Sequence, residues 1–500
     1  MNGLSIIDLQ EMIGKGAFSS EELCREALAR IERLNEQGPE LRAIIEVNTE
    51  AAETAAKLDS ERAKSVPRSL LHGIPIVIKD NIETGDTMQT TAGSFALAGM
   101  PAAGDAFIVE KLRSAGAVIL GKANLSEWAN FRSTKSSSGW SSRGGQCLNP
   151  YDLTRSPCGS SSGSAVAVAA EMAVAAIGTE TDGSIICPSA MNSIVGIKPT
   201  IGSVSRRGIV PIAHSQDTAG PMAACVSDAA ILLDVIRGYD PDDDMTERFR
   251  AACAVSGSVV SLVTALHTDG LQGVRIGVAE NLCGFDSRVD VLFERHLGEM
   301  ERAGAVLVRS CSVPGIDQYD EAELTVLLYE FRDGINRYLR QRGKGRGQTG
   351  FPHSLDELIA FNREHAATVM PYFGQELFER AREKGSLHEV EYLDALNVCR
   401  QKADKEGLGK LFLEQRIELL AAPSNGPAWK IDHVNGDRYT GGSSSPAAVS
   451  GYPSITLPAG YVAGLPVGTT LIGTPFEEHR MVAAAYALEQ AYPVRERVRL

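Results

Sequence analysis

Several features are scarce or missing. Among 500 residues no run reaches about 18 uninterrupted apolar positions, the length a helix needs to cross a bilayer, so no membrane span is expected. The N-terminus, MNGLSIIDLQEMIGKGAF, has neither a basic segment nor a long apolar stretch, so no signal peptide is expected. Positive charge is in deficit: 49 Lys and Arg stand against 63 Asp and Glu, for a net charge of −14. That balance speaks against a nucleic-acid or membrane-surface partner. The nine cysteines form no CxxC pair. Cys24, Cys147, Cys158, Cys187, Cys225, Cys253, Cys283, Cys311 and Cys399 read as free, mostly buried thiols of a reducing compartment. A cytoplasmic location follows as an expectation. No repeat at solenoid periods is present.

What is there is ordinary globular composition, 43% apolar and 22% charged. A chain this long makes two domains the default, since single cores stop growing at roughly 250–300 residues, but large α/β sheets run longer as one unit. Residues 4–64 read as helices, with a capping box at Ser19 and Glu22 followed by an apolar stripe at Leu23, Ala27, Leu28 and Ile31. Ile74–Ile78 is a short β-branched strand ending at Lys79-Asp80-Asn81. Residues 105–124 read as helix then strand, the strand at Ala117–Leu120 and Gly121–Asn124 leaving it, and that alternation resumes at 274–279, 290–304 and 305–308. Residues 320–420 are charge-rich and helical, with Gly/Arg/Lys punctuation at 343–350, and look like an insertion. Strands return at 417–422, 454–458 and 468–472, before a closing helix at 480–492. His296 reads as a packed or half-exposed residue of the 290–304 helix. The loop Ser133–Asn149, with Trp140, fits either a connector or a substrate-lining segment.

The densest collection of small hydroxyl residues lies at Ser156–Thr200. Two Gly/Ser-rich turns, Gly159–Ser164 and Thr181–Ser184, flank a small-residue apolar segment. Three chemistries compete there. A phosphate cradle needs a following Lys-Ser/Thr or a GxGxxG, and neither is present. A nucleophile elbow matches formally at Gly159-x-Ser161-x-Gly163, but it needs an acid and a histidine downstream, and Asp432-His433 is the one suggestive pair. The third reading joins Lys79, Ser160 and Ser184. A lysine desolvated at the tip of an apolar strand can lose its proton. Ser160 could then carry protons to Ser184, which follows a turn whose successive N–H groups can converge on an oxyanion. Against it stand ordinary roles: a solvated lysine at a sheet edge, and serines that cap helices.

The run Cys158-GSSSGSA, IGTETDGSIICPSA and Ile194-VGIKPT resembles the amidase signature family. Gly73–Asn81, GIPIVIKDN, and Gly464–Phe476, GLPVGTTLIGTPF, resemble two further landmarks of that family. The likeness runs from about residue 5 to 490. It implies an α/β fold: one domain over 1–500 with a large twisted mixed sheet of about eleven strands, helices on both faces, and the helical insertion at about 320–415. Within it, residues 1–64 would be N-terminal helices, 70–225 the signature core, and 416–500 the return to the sheet.

The resemblance also implies a Ser–cisSer–Lys triad, with Ser184 the nucleophile, Ser160 the bridging serine in a cis peptide, and Lys79 the base. The N–H groups of Thr181, Asp182, Gly183 and Ser184 would hold the oxyanion, and Ser161 would support the network. No metal or other cofactor is implied. Many relatives carry an arginine two residues after the nucleophile, able to pair with a substrate carboxylate; here that residue is Ile186. This departure argues against a glutamine-using amidotransferase component, and the motifs look most like the peptide amidase branch. The expected substrate is therefore a small-molecule or peptide amide, with other aliphatic or aromatic amides as the alternative. The pocket lining is expected from 133–149, 320–400 and 425–445. A homo-oligomer stays open, since no interface signal is legible.

Overall fold

The computed structural model describes residues 3–256, 260–342 and 351–500. Thirteen strands are formed among them: β1 (Ile44–Val47), β2 (Pro75–Lys79), β3 (Val118–Ala123), β4 (Trp140–Ser141), β5 (Gly145–Gln146), β6 (Ala175–Glu180), β7 (Val195–Lys198), β8 (Thr218–Ala223), β9 (Arg275–Ala279), β10 (Val306–Cys311), β11 (Leu419–Pro423), β12 (Ser454–Val462) and β13 (Leu465–Gly473). Eleven of them make one mixed sheet in the order β1-β3-β2-β6-β8-β7-β12-β13-β11-β9-β10, while β4 and β5 pair separately inside the 133–149 loop.

Every residue of β2, β3, β6, β8, β11 and β13 is buried. Strands buried on both faces need apolar side chains at successive positions, which is why Ile76-Val77-Ile78 reads as a continuous run rather than an alternation. Helices supply the cover. Two of them begin with capping boxes, at Ser5/Asp8 and at the expected Ser19/Glu22. The helix Ser162–Ala169, made of Ser, Gly, Ala and Val, is buried throughout, and such small side chains let it lie close against the sheet.

One pairing brings the site together. β2 runs parallel to β6 with Ile78 opposite Ile177, so Lys79 at the end of β2 lies level with Gly178 and Thr179 of β6. The turn that follows β6, Thr181–Ser184, therefore opens at the same end of the sheet as Lys79.

The helices at Asp320–Arg342, Leu355–Glu364, Glu376–Arg382, Val390–Cys399 and Gly409–Gln415 occupy the expected insertion, with a separate apolar cluster that includes Phe331 and Phe378. The punctuation at 343–350 lies outside the described residues. His296 is packed, 1% exposed, with its ring edge-on to Tyr492.

Three expectations need correction. Residues 4–64 are not all helix: β1 (Ile44–Val47) lies among them and pairs antiparallel with β3, a partner that local helical periodicity cannot show. The third strand does not stop at Leu120 but continues to Ala123, because Lys122 is itself buried, its ammonium donating to the Ile82 carbonyl and to Thr90 Oγ1. Nor are all nine cysteines free: Cys158 and Cys187 form a disulfide. Their separation of 29 residues carries no pairing signal, and only the folding together of two turns makes them neighbours. The other seven carry no disulfide.

Candidate active site

Lys79 is fully buried, not solvated at a sheet edge. Its Nζ has four oxygens within hydrogen-bonding distance: Ser160 Oγ at 2.8 Å, Thr179 Oγ1 at 2.8 Å, Ser161 Oγ at 3.0 Å and the Thr179 carbonyl at 3.1 Å. Burial pulls its pKa down to about 7, against the opposing pull of the Glu180 and Asp217 carboxylates. The amine is thus held near the midpoint of its titration at neutral pH.

The hydroxyls around it are not equivalent. Ser161 Oγ donates to the Thr179 carbonyl at 3.0 Å and accepts from the Thr179 N–H at 3.2 Å, so its proton is committed. Thr179 Oγ1 also accepts from Asn81 Nδ2 at 2.9 Å. Among the described residues the Ser160 hydroxyl has one hydrogen-bond partner, Lys79 Nζ. The Ser160 proton, unlike that of Ser161, is committed to no other acceptor among the described residues. The Gly159–Ser160 peptide is cis, in keeping with the resemblance.

Ser184 is buried, 8% exposed, and of its turn only Thr181 lines the adjoining cavity. The Ser184 carbonyl accepts the Ser161 N–H at 3.1 Å, joining the two Gly/Ser turns. Among the described residues, none accepts a hydrogen bond from the N–H of Thr181, Asp182, Gly183 or Ser184. Gly183 sits at φ +75°, which a β-carbon disfavours, and an added one would stand 3.0 Å from Ser444 Oγ.

Residues outside the sequence-level list hold this turn. Glu180 Oε2 accepts the N–H groups of Ile185 (2.7 Å) and Ile186 (3.0 Å), just past the nucleophile position. Asp217 accepts Thr181 Oγ1 at 2.6 Å and the N–H groups of Ile212 and Ala213. Asp182 takes the hydroxyls of Ser444 (2.5 Å) and Ser445 (2.6 Å). Asn81 and Thr179 stand inside the family motifs, in KDN and GTET, and Asp217 stands in the run SQDTAG just ahead of β8. No spacing rule marks them, because their roles depend on neighbours far away in sequence.

A cavity of about 280 Å³ abuts Ser160, Asn81 and Thr179–Thr181. Its walls are Arg206–Ile212 and, from the insertion, Glu330–Gln341. The insertion contributes as expected, but 133–149 does not. Trp140 packs on Tyr372, Phe373 and the Arg132 guanidinium instead. The loop 425–445 does not wall this cavity; it reaches the two turns through Ser444 and Ser445 on Asp182 and through Ala428 and Trp429 beside Cys158 and Cys187. The elbow reading finds no support: Asp432 caps its own turn at Val434 and Asn435, and the His433 ring stacks on Tyr372. Among the described residues no cluster of His, Cys, Asp and Glu is arranged to hold a metal, and no helix is long and apolar enough to cross a membrane.

Comparison with known proteins agrees with this geometry. The family model Amidase matches residues 22–482. The structure of native peptide amidase from Stenotrophomonas maltophilia is 45% identical, with a TM-score of 0.93, covering 99% of this chain and 98% of that one. A probable amidase of Arabidopsis thaliana is 38% identical over 98% of this chain and 90% of its own length. One component of the glutamyl-tRNA(Gln) amidotransferase of Symbiobacterium thermophilum is 35% identical, over 97% and 96% respectively.

Proposed function

Because this chain belongs to the amidase family, we propose that it hydrolyses carboxylic amides, with the C-terminal carboxamide of peptides as the favoured substrate class. The observation that carries this reading is the buried Lys79 amine in contact with Ser160, beside a turn with four uncommitted N–H groups. Neutral Lys79 accepts the Ser160 proton as Ser160 accepts that of Ser184. The Ser184 oxygen attacks the amide carbon, and the resulting oxyanion is met by the N–H groups of Thr181–Ser184. The proton then returns through Ser160 to the departing nitrogen, which leaves as ammonia. Water, activated by the same relay, hydrolyses the acyl-enzyme. Ser161 orients the lysine and keeps its own proton on Thr179.

Likeness to a peptide amidase supports a peptide amide rather than glutamine. So does Ile186, which is buried and offers no charged partner to a free carboxylate. We propose also that residues 1–500 act as one catalytic unit with 320–415 as an insertion, since both ends of the chain feed strands into one sheet.

The test is ammonia release from peptide amides, simple aliphatic and aromatic amides, and free glutamine. We expect turnover of peptide amides and its loss in Ser184→Ala. Full turnover by that variant, or a fluorophosphonate adduct on another serine, would overturn the assignment. Activity confined to glutamine would favour the amidotransferase-type reading instead.

A further inference from the structure

Cys158 stands two residues before Ser160, and Cys187 three residues after Ser184. Their disulfide, with Cα atoms 6.2 Å apart, is a covalent tie from the turn of the relay serine to the turn of the nucleophile. We infer that this disulfide positions the two catalytic turns against each other, and that its reduction by a dithiol slows the reaction without unfolding the protein. The inference rests on the roles proposed above for Ser160 and Ser184.

Each cysteine is built into its turn. The Cys158 N–H donates to Ser156 Oγ at 3.1 Å, and its carbonyl accepts Ser162 Oγ at 2.7 Å. Cys158 lies at φ +61°, a left-handed conformation that its β-carbon disfavours and that the surrounding contacts must hold. The Cys187 N–H donates to the Gly183 carbonyl at 2.8 Å, so the bridge ends on the residue whose hydrogen bond closes the turn around Ser184.

Other ties would survive reduction. The Ser161 N–H reaches the Ser184 carbonyl, and Asn192 Nδ2 bridges the carbonyls of Pro157 (2.9 Å) and Pro188 (2.7 Å). The turns would therefore stay adjacent but loosen. A misplacement of reacting groups by about 1 Å can cost about 100-fold, and with these ties intact a loss of about ten-fold is expected.

Cys158 and Cys187 share a buried apolar cluster with Met191, Ala428 and Trp429 and are 5% and 7% exposed, so reduction is driven to completion with excess dithiol and checked by thiol count. A dithiol thiolate attacks one sulfur to form a mixed disulfide. The reagent's second thiol then displaces the protein sulfur, leaving two cysteine thiols and a cyclic reagent disulfide. Two electrons and two protons pass from the reagent to the protein.

Thiol titration of the unfolded chain should count seven thiols before reduction and nine after, the nine cysteines less the bonded pair and then all nine. Kinetics with a peptide amide would be run with and without dithiothreitol, below the melting temperature of both forms. The rate at which a fluorophosphonate labels Ser184 would be measured in parallel. We expect kcat and labelling rate to fall about ten-fold, KM to change less than about two-fold, and reoxidation to restore both rates. The double variant Cys158→Ala/Cys187→Ala should be equally slow and indifferent to dithiol. If that variant fails to fold, the reduced wild type, with its melting temperature checked, decides the matter. Nine thiols in the untreated chain, or full rates in the reduced protein, would overturn the inference. Activity in neither redox state would count instead against the hydrolase reading.

Discussion

At the scale of single residues, the ionisation of Lys79 controls the proposed chemistry. A neutral amine can take the Ser160 proton, whereas an ammonium cannot. Burial lowers the pKa to about 7, so the competent form grows as pH rises through that value. We predict that kcat/KM for a neutral peptide amide climbs with pH, with a limb centred near 7, and then levels off. In Lys79→Ala the limb should vanish and the rate should fall by orders of magnitude. A pH series on both proteins checks this, and a wild-type rate that falls as pH rises through 7 would contradict it. The lysine's partners were only half legible beforehand. Lys79 and Ser160 stand in recognisable motifs, but nothing in GTET says that Thr179 contributes a carbonyl, an N–H and a hydroxyl to the same network.

At the scale of elements, the helix Ser162–Ala169 shows why small residues fill the space between the two turns. A β-carbon added at Gly163 would stand 2.1 Å from the Ala43 carbonyl oxygen and 2.6 Å from the backbone N and O of Asn124. All three are main-chain atoms that have no side-chain freedom with which to yield. The Gly163 N–H also donates to the Asn124 carbonyl at 2.9 Å, so the helix start is pinned where it is. We predict that Gly163→Ala destabilises the protein by about 3 kcal/mol through overpacking, measured as a lower urea midpoint. A midpoint equal to wild type would show that the contact relaxes freely. The richness of Ser, Gly and Ala here could be read early as room for a site. Which glycine faces which carbonyl could not, since Ala43 precedes β1 and Asn124 follows β3, far from Gly163 in sequence.

At the scale of the whole molecule, buried arginines fasten the helical insertion to the sheet-bearing core. Arg342 donates to the carbonyls of Thr90 and Met100, each at 2.6 Å. Arg132, fully buried, pairs with the equally buried Glu127, donates to the Val369 carbonyl at 2.7 Å, and lies over the Phe373 ring. Removing one partner of a buried pair leaves the other charge uncompensated, at roughly 3–5 kcal/mol. We predict a loss of that size for Arg132→Ala in urea or thermal unfolding at neutral pH. Burial raises the Glu127 pKa, and without the guanidinium that carboxyl takes up a proton more readily in the folded state. The variant's deficit should therefore shrink as pH falls. A deficit that grows with acidity would refute the role given to Glu127. The insertion itself was legible as a charge-rich helical block. Its attachment was not, because an isolated arginine in a sequence looks the same whether solvated or buried.

The αβ alternation at 74–79, 105–120 and 274–308, the two hydroxyl-rich turns and the lysine at the tip of β2 follow from local pattern: β-branched runs, capping residues, glycines, and long family motifs. These are short-range properties, and short-range sterics and periodicity carry them. The tertiary structure decided what depends on long-range closure. It placed Lys79 level with Thr179 through the β2–β6 register, committed the Ser161 proton to a carbonyl, set Ser160 Oγ against Lys79 Nζ, and walled the cavity with residues 206–212 in place of the 133–149 loop. It also turned two of nine apparently free thiols into a bridge between the two hydroxyl-rich turns. Each of those outcomes is set by which surfaces meet once the sheet is assembled and water is excluded, and no single stretch of sequence encodes it.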